Sequence, residues 1–242
     1  MRKALLVDID DTVVDWIGPA RDAVVAAVAT HRTLAGADPE RLADRFLEIV
    51  EETHALWMSG ELSMDGLRAA RIRRLISESG NADLDPIEAE ELAAAYREAY
   101  LAARRPVIGA AELLAEVRGR GARIVAVTNN LVAEQEDKLR HVSLRHLFDD
   151  LVISEAAGVN KPDPAIFELA LQRAGAQPHE AIMLGDSWAN DVMGAIGSGI
   201  AAAWLDRAGK GPPDASVEVL VLTGLQPAHD VASSLLDGVT AS

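Results

Sequence analysis

Cysteine is absent from the 242 residues, which excludes disulfide cross-links and every thiolate metal site. Basic residues are scarce. Lys and Arg number 23 against 38 Asp and Glu, a formal net charge of -15, so neither a nucleic-acid polymer nor an anionic membrane fits as the main partner, because both demand clustered Lys and Arg. Long apolar runs are lacking as well. The opening MRKALLVDID holds only a handful of apolar residues before its acids, too few for a signal peptide or a membrane span, and the expectation is a soluble, cytoplasmic protein, monomer or homodimer. No internal repeat and no low-complexity tract interrupts the chain. What is present is a 49% hydrophobic composition, ample for a sizeable buried core, in a length that suits one large domain or a core with a smaller companion.

Two textures follow one another along the chain. Residues 17 to about 104 alternate apolar and charged positions at helical spacing, with Asp38-Pro39-Glu40 and Asp85-Pro86 as helix starts and Ser79-Gly80-Asn81 as a stop. After Pro106 the pattern changes to short apolar runs separated by helical stretches: 122–127, 151–154, 181–184, 200–205 and 217–222. With Ala4 to Val7 these make six candidate strands, the signature of an α/β fold with a parallel sheet and helices on both faces. The first strand is over a hundred residues from the second, which predicts an all-helical module inserted after it.

Ligands of open parallel sheets gather beyond the carboxyl ends of the strands. The first strand is followed by Asp8, Asp10, Asp11 and Thr12, the second by Thr128-Asn129-Asn130, the third, after a short stretch, by Lys161-Pro162-Asp163-Pro164, and the fourth by Gly185-Asp186-Ser187 with Asp191 beyond. Carboxylates this crowded repel unless positive charge sits among them or one stays protonated. Phosphoryl transfer through a carboxylate with Mg²⁺ needs this set. Asp8 and Asp186 suit the cation, which favours oxygen ligands. One Asp attacks phosphorus to form an aspartyl-phosphate. An Asp two residues on protonates the leaving oxygen and then activates water. Thr128 and neighbouring amides bind phosphate oxygens, and Lys161 neutralises nucleophile and phosphoryl group.

These residues resemble the four motifs of the haloacid dehalogenase superfamily, in order: Val7-Asp8-Ile9-Asp10-Asp11-Thr12, Val127-Thr128-Asn129, Lys161-Pro162, and Gly185-Asp186 through Asp191. The resemblance implies a Rossmann-like core over 1–14 and 106–242 with a helical cap over 15–105. It further implies that Asp8 is nucleophile and metal ligand, that Asp10 is acid/base and binds the metal through its backbone carbonyl, and that Asp186 ligates Mg²⁺ with Asp191 as ligand or as its orienter. Asp11, Asn129 and Asn130 join Thr128 as the expected phosphate contacts, although Asp11 and Asn130 both stand where relatives often carry Gly. The dehalogenases of the superfamily attack carbon and do not keep an acid two positions after the nucleophile. Asp10 therefore favours a phosphatase; a phosphomutase, a haloacid dehalogenase and a non-catalytic binding protein are the other readings.

Substrate signals lie in the cap. The stretch 54–75, HALWMSGELSMDGLRAARIRRL, resembles that of phosphatases acting on nucleoside 5'-monophosphates and of N-acylneuraminate-9-phosphatase, with Trp57 as a base-stacking surface or a core residue. On a wheel of the helix from about Ser63 to Ser77, Met64, Leu75, Ile72 and Ile76 form one apolar face, and Arg68 and Arg71 fall inside it. Two readings of these arginines follow: an ion pair within the cap, or a contact with substrate. The histidines receive no metal role.

Overall fold

Pro39 opens its helix at the first turn, where a missing N–H costs nothing, and the Asp38 carboxylate caps it by accepting from the backbone N–H groups of Glu40 and Arg41. The computed structural model describes residues 2–30, 36–53, 64–79 and 86–238. Among them, the stretch 17–103 is helical: α1 Ile17–Thr30, α2 Pro39–Glu52, α3 Met64–Glu78 and α4 Pro86–Ala103. Their apolar stripes close one core, in which Val24, Phe46, Ile49, Ile72, Ile76 and Tyr96 are buried, and the Phe46 and Tyr96 rings meet at 4.9 Å. No described helix is long and apolar enough to cross a membrane.

The remaining strands are β1 Ala4–Val7, β2 Val14–Asp15, β3 Arg105–Pro106, β4 Arg123–Thr128, β5 Asp150–Ile153, β6 Ala181–Gly185, β7 Ala201–Leu205 and β8 Leu220–Leu222. Six of them form a parallel sheet in the order β5-β4-β1-β6-β7-β8. The alternation of strand side chains builds two cores from one sheet. Leu5 and Val7 pack with Leu113, Leu114 and Val117 of α5 (Ala110–Gly119), with Leu139 of α6 (Val132–His141), and with Val231 and Leu235 near the end of the chain. Ala4 and Leu6 pack on the opposite face, with Ile166, Phe167 and Ala170. Each fully buried Leu or Val contributes about 1.5–3 kcal/mol.

All six strands expected from the sequence are in the sheet; their ends differ from the expected ones by one residue at most, except the start of the last, and two of the differences have a local cause. The last strand begins at Leu220 rather than 217 because the Asp214 carboxylate accepts from the Ser216 N–H and its carbonyl from the Val217 N–H, so a turn takes up the residues before it. The third ends at Ile153, since Ser154 starts the short helix α7 (Ser154–Ala157). Unforeseen was the antiparallel pairing of β2 with β3, two residues a side and too short to leave a periodic signal. It goes with a division into two compact units, Met1–Asp15 with Arg105–Ser242, and Trp16–Arg104, one residue different at each junction from the limits read in the sequence.

Candidate active site

β1 occupies the middle of the sheet, with Val7 in register between Ala126 of β4 and Leu184 of β6. The chain fills one side of β1 with β4 and β5 and then crosses to the other for β6, which puts the switch point at the carboxyl end of β1, where open α/β sheets form their crevice. Asp8 is the first residue past that end, its N–H donating to the Leu184 carbonyl at 2.9 Å.

Lys161 reaches Asp8 from a loop that two devices hold. Asn129 and Lys161 exchange hydrogen bonds, Asn129 Nδ2 to the Lys161 carbonyl at 2.9 Å and the Lys161 N–H to Asn129 Oδ1 at 2.7 Å. Past the loop, Asp163 caps α8 (Pro164–Ala174) with Pro164 at its first turn, which explains the Pro-Asp-Pro run as a helix start. The buried Lys161 Nζ then bridges two carboxylates, Asp8 Oδ1 at 2.7 Å and Asp191 Oδ1 at 2.6 Å. Burial alone would lower the ammonium's pKa; the charges of Asp191 and Asp8 more than offset it and hold the group well above its ordinary value.

Asp191 belongs to a π-helical turn, Trp188–Val192, capped by Ser187. The turn sends its side chain back beneath β6, so close to Gly185 that a Cβ there would lie 2.2 Å from Asp191 Oδ2; only glycine leaves that space. Asp191 Oδ2 accepts from the Ser187 N–H at 2.9 Å, so both its oxygens are engaged and it orients Lys161. Asp186 sits beside them, its carbonyl accepting from Trp204 Nε1 at 2.8 Å and its Oδ1 from the Thr12 hydroxyl at 3.3 Å. Trp188 packs edge-on against Trp204, ring centroids 5.2 Å apart.

Asp8, Asp186 and Asp191 each offer an oxygen within 4.8 Å of the others. Burial and mutual repulsion show in the protonation of Asp8 and Asp186. Asp8 is pushed up to about 7, by burial first and then by Asp191 and Asp10, against the lowering effect of Lys161. Asp186 is pushed up to about 8, by burial and then by Asp8, Asp191 and Asp11. A set of carboxylate oxygens in which Asp8 and Asp186 are driven toward the protonated form fits a hard divalent cation. The second Asp8 oxygen and Asp186 are the donors least engaged by the protein.

Asp10 faces the other way. Its Oδ1 is paired with Lys138 Nζ, and its Oδ2 accepts from Gln135 Nε2 at 2.7 Å and Asn130 Nδ2 at 3.2 Å. Burial would raise its pKa; Lys138, Gln135 and Asn130 together lower it below the ordinary carboxylate value. Two of the expected phosphate contacts are spent on this arrangement or near it. The backbone N–H of Asn130 donates to Ser154 Oγ at 3.0 Å, while its side chain serves Asp10. The N–H of Asp11 donates to the Val14 carbonyl at 2.7 Å, and its carboxylate lies 3.6 Å from Arg207. Asp11 also has φ 56°, a left-handed conformation that favours glycine and that Asp tolerates, which accounts for glycine being common at this place. Thr128 is buried, its Oγ1 accepting from Gln135 Nε2 at 3.1 Å.

The helical unit separates its two candidate arginines. Arg71 is buried, donating from Nε to Thr53 Oγ1 at 2.8 Å and from Nη2 to the Val50 carbonyl at 3.2 Å, and burial lowers its pKa to about 10. It therefore closes the end of α2, a third account that neither sequence reading contained. Arg68 is half-buried. Trp57 lies outside the described residues, as do all of residues 54–63.

Gln135, Lys138 and Arg207 were missed in the sequence. The first two had a signal: positions 135, 138 and 139 form the inward stripe of α6, and two of the three are polar.

A model of the haloacid dehalogenase-like hydrolase family matches residues 2–199. Among curated relatives, the phosphoserine phosphatase of Thermus thermophilus is 40% identical over 154 residues, covering 62% of this chain and 59% of that protein. The glyceraldehyde 3-phosphate phosphatase of Methanopyrus kandleri is 30% identical over 210 residues, 86% of this chain and 85% of the relative. The pyrimidine 5'-nucleotidase YjjG of Escherichia coli is 37% identical over 129 residues, 53% of this chain and 57% of the relative. The match thus spans about three fifths of the length of the Thermus and Escherichia proteins. A structure of the HAD-hydrolase YfnB from Bacillus subtilis, bound to magnesium, superposes with a TM-score of 0.76 at 20% identity, covering 96% of this chain and 99% of the other; it shares the fold.

Proposed function

We propose, since this chain belongs to the haloacid dehalogenase-like hydrolase family, that it hydrolyses a small phosphate monoester through an aspartyl-phosphate on Asp8. The observation that carries this reading is the separation of two carboxylates two residues apart: Asp8 against Lys161, and Asp10 against Lys138. A carbon-attacking dehalogenase has no use for the second; a reaction that expels an alkoxide does.

In the first step an Asp8 oxygen attacks phosphorus, the bond to the ester oxygen breaks, and Asp10 delivers a proton to the departing alkoxide. A phosphate monoester, with a second pKa near 6, brings that proton into the site. In the second step the Asp10 carboxylate takes a proton from water, the water oxygen attacks phosphorus, the phosphorus–Asp8 bond breaks and free carboxylate and phosphate result. Lys161 stabilises charge on Asp8 and on the transferring group throughout. Asp8 and Asp186 would hold a divalent cation, Mg²⁺ in our reading, and a cation there adds positive charge where the phosphoryl oxygens gather.

For the substrate we put a nucleoside 5'-monophosphate first, supported by the Escherichia nucleotidase match and the resemblance of residues 54–75. A phosphorylated three-carbon compound comes second, favoured by the span of the glyceraldehyde 3-phosphate phosphatase match and the identity to phosphoserine phosphatase. Phosphate release measured over nucleoside monophosphates, phosphoserine, glyceraldehyde 3-phosphate and N-acylneuraminate 9-phosphate is expected to give the highest kcat/KM with a nucleotide. A higher value for a three-carbon ester moves the assignment to the second class, and no release from any ester defeats the phosphatase reading.

The cation assignment makes a separate prediction. A carboxyl whose folded pKa is raised stabilises the fold below the ordinary carboxylate range and loses that contribution as pH climbs through the raised value. For Asp8 and Asp186 that loss runs up to about 7 and about 8. Metal-free protein is thus expected to lose Tm between about pH 5 and about pH 8 from these groups, and Mg²⁺ to restore it far more at the upper pH. Thermal denaturation with and without Mg²⁺ checks this; an equal Mg²⁺ shift at both values would remove these carboxylates as ligands.

A further inference from the structure

Lys138 is an expensive residue for its position. It lies on the inward stripe of α6 with its side chain 4% exposed, paired with an Asp10 side chain that is 27% exposed. A buried ion pair typically contributes no more than a well-packed apolar replacement would, and Leu139, its neighbour on the stripe, already shows what an apolar residue does there. Gln135 adds to the cost. Both its donor contacts go to Asp10 and Thr128, and its Oε1 is buried with no hydrogen-bond partner among the described residues, an orphan that costs stability. Turning the amide over would set that oxygen against the Asp10 carboxylate. Stability does not explain the pair.

Geometry does. Asp8 leaves a strand end and is held by a buried lysine. Asp10 lies past the sheet, followed by a left-handed residue, where a short side chain could adopt several rotamers. Lys138 takes one oxygen, Gln135 and Asn130 the other, so both oxygens of Asp10 are located from one direction. Because Gln135 also bonds Thr128 Oγ1, the clamp on Asp10 is tied to the end of β4.

We propose that Lys138 is a positioning residue which, with Gln135, holds the Asp10 carboxylate in the orientation that serves first the leaving oxygen and then the hydrolytic water. The proposal rests on the phosphatase reading above. It assigns to a buried ammonium in α6, the helix after β4, a part in the reaction without contact to the substrate.

Leaving-group dependence separates this from a structural role. An alkyl phosphate needs a proton delivered to its oxygen; p-nitrophenyl phosphate, with a stable phenolate, hardly does. In Lys138→Met, which keeps length and removes charge, kcat/KM for the best alkyl phosphate is expected to fall on the order of 10²-fold, the lower end of what general acid catalysis supplies, with a much smaller loss on p-nitrophenyl phosphate. A pre-steady-state burst of p-nitrophenol should appear, because the water step loses its oriented base. Lys138→Arg should recover part of the loss. Equal losses on both esters without a burst would overturn the proposal. Should Lys138→Met not fold, Gln135→Leu is expected to show the same split at smaller amplitude, and an even loss there overturns it equally. A wild-type protein that hydrolyses neither ester defeats the phosphatase reading, and this proposal with it.

Discussion

Asp8→Asn is expected to abolish phosphate release while leaving the fold as stable as before, or more stable above neutral pH. The amide is no nucleophile, and loss of a covalent nucleophile costs on the order of 10⁶-fold in kcat. Stability should move the other way because of the charge arrangement. Asp8 and Asp186 both resist ionisation, Asp8 because of burial and then Asp191 and Asp10, Asp186 because of burial and then Asp8. An uncharged residue at 8 removes that repulsion, and Lys161 keeps Asp191 at 2.6 Å as its partner. The Tm of the variant should therefore equal or exceed that of the wild type at about pH 8, where wild-type Asp8 has lost its proton and Asp186 is losing its own, and match it at about pH 5. Phosphate release and thermal denaturation on the same preparation check both halves. Near-normal turnover would end the covalent mechanism; lost turnover with a collapsed Tm would make Asp8 a structural residue.

Lys161→Met should damage both properties. In the wild type one buried ammonium answers two buried carboxylates. Removing one partner of a buried ion pair costs about 3–5 kcal/mol, because the charge left behind has neither water nor counterion. The sign with pH follows. Without the ammonium the lowering influence on Asp8 is gone, so its folded pKa rises further above the unfolded value, and the cost grows as pH climbs. At about pH 5 Asp8 keeps its proton and the penalty shrinks. Urea denaturation is expected to show the larger loss at about pH 8. Activity should fall by about 10²–10³-fold even under conditions where the variant is fully folded, the scale on which a preorganised charge at the transferring group acts. A variant as stable at high pH as the wild type would contradict the description of Asp8 and Asp191 as carboxylates that need this lysine.

The two arginines of α3 illustrate where local reading stops. The helical wheel sets Ile72, Leu75 and Ile76, all buried, on one apolar face. It also sets Arg71 among them, but the wheel of one helix says nothing of what lies opposite. What lies opposite is the C-terminal end of α2, whose last carbonyls lack partners within their own helix and take the guanidinium instead.

Strand and helix identity, and the order of the polar clusters that follow β1, β4 and β6, were legible in the sequence because they are local. An apolar run of four to six residues bounded by turn formers, or a Pro at a helix start behind a capping Asp, carries its own physical cause within a few residues. Asp8, Thr128, Lys161 and Asp186 were legible for the same reason, each being tied to the end of a strand or the start of a helix. Partnership was not, because it joins residues far apart in the chain. The tertiary structure alone decides that Lys161 bridges Asp8 and Asp191, that Asp10 is turned away from them toward Lys138, 128 positions further along, and that the amides of Asp11 and Asn130 are committed to a turn and to Ser154. A buried charge has to find its counterion, and which one it finds is settled by how α6, the loop before α8 and the turn after β6 close around the middle of the sheet.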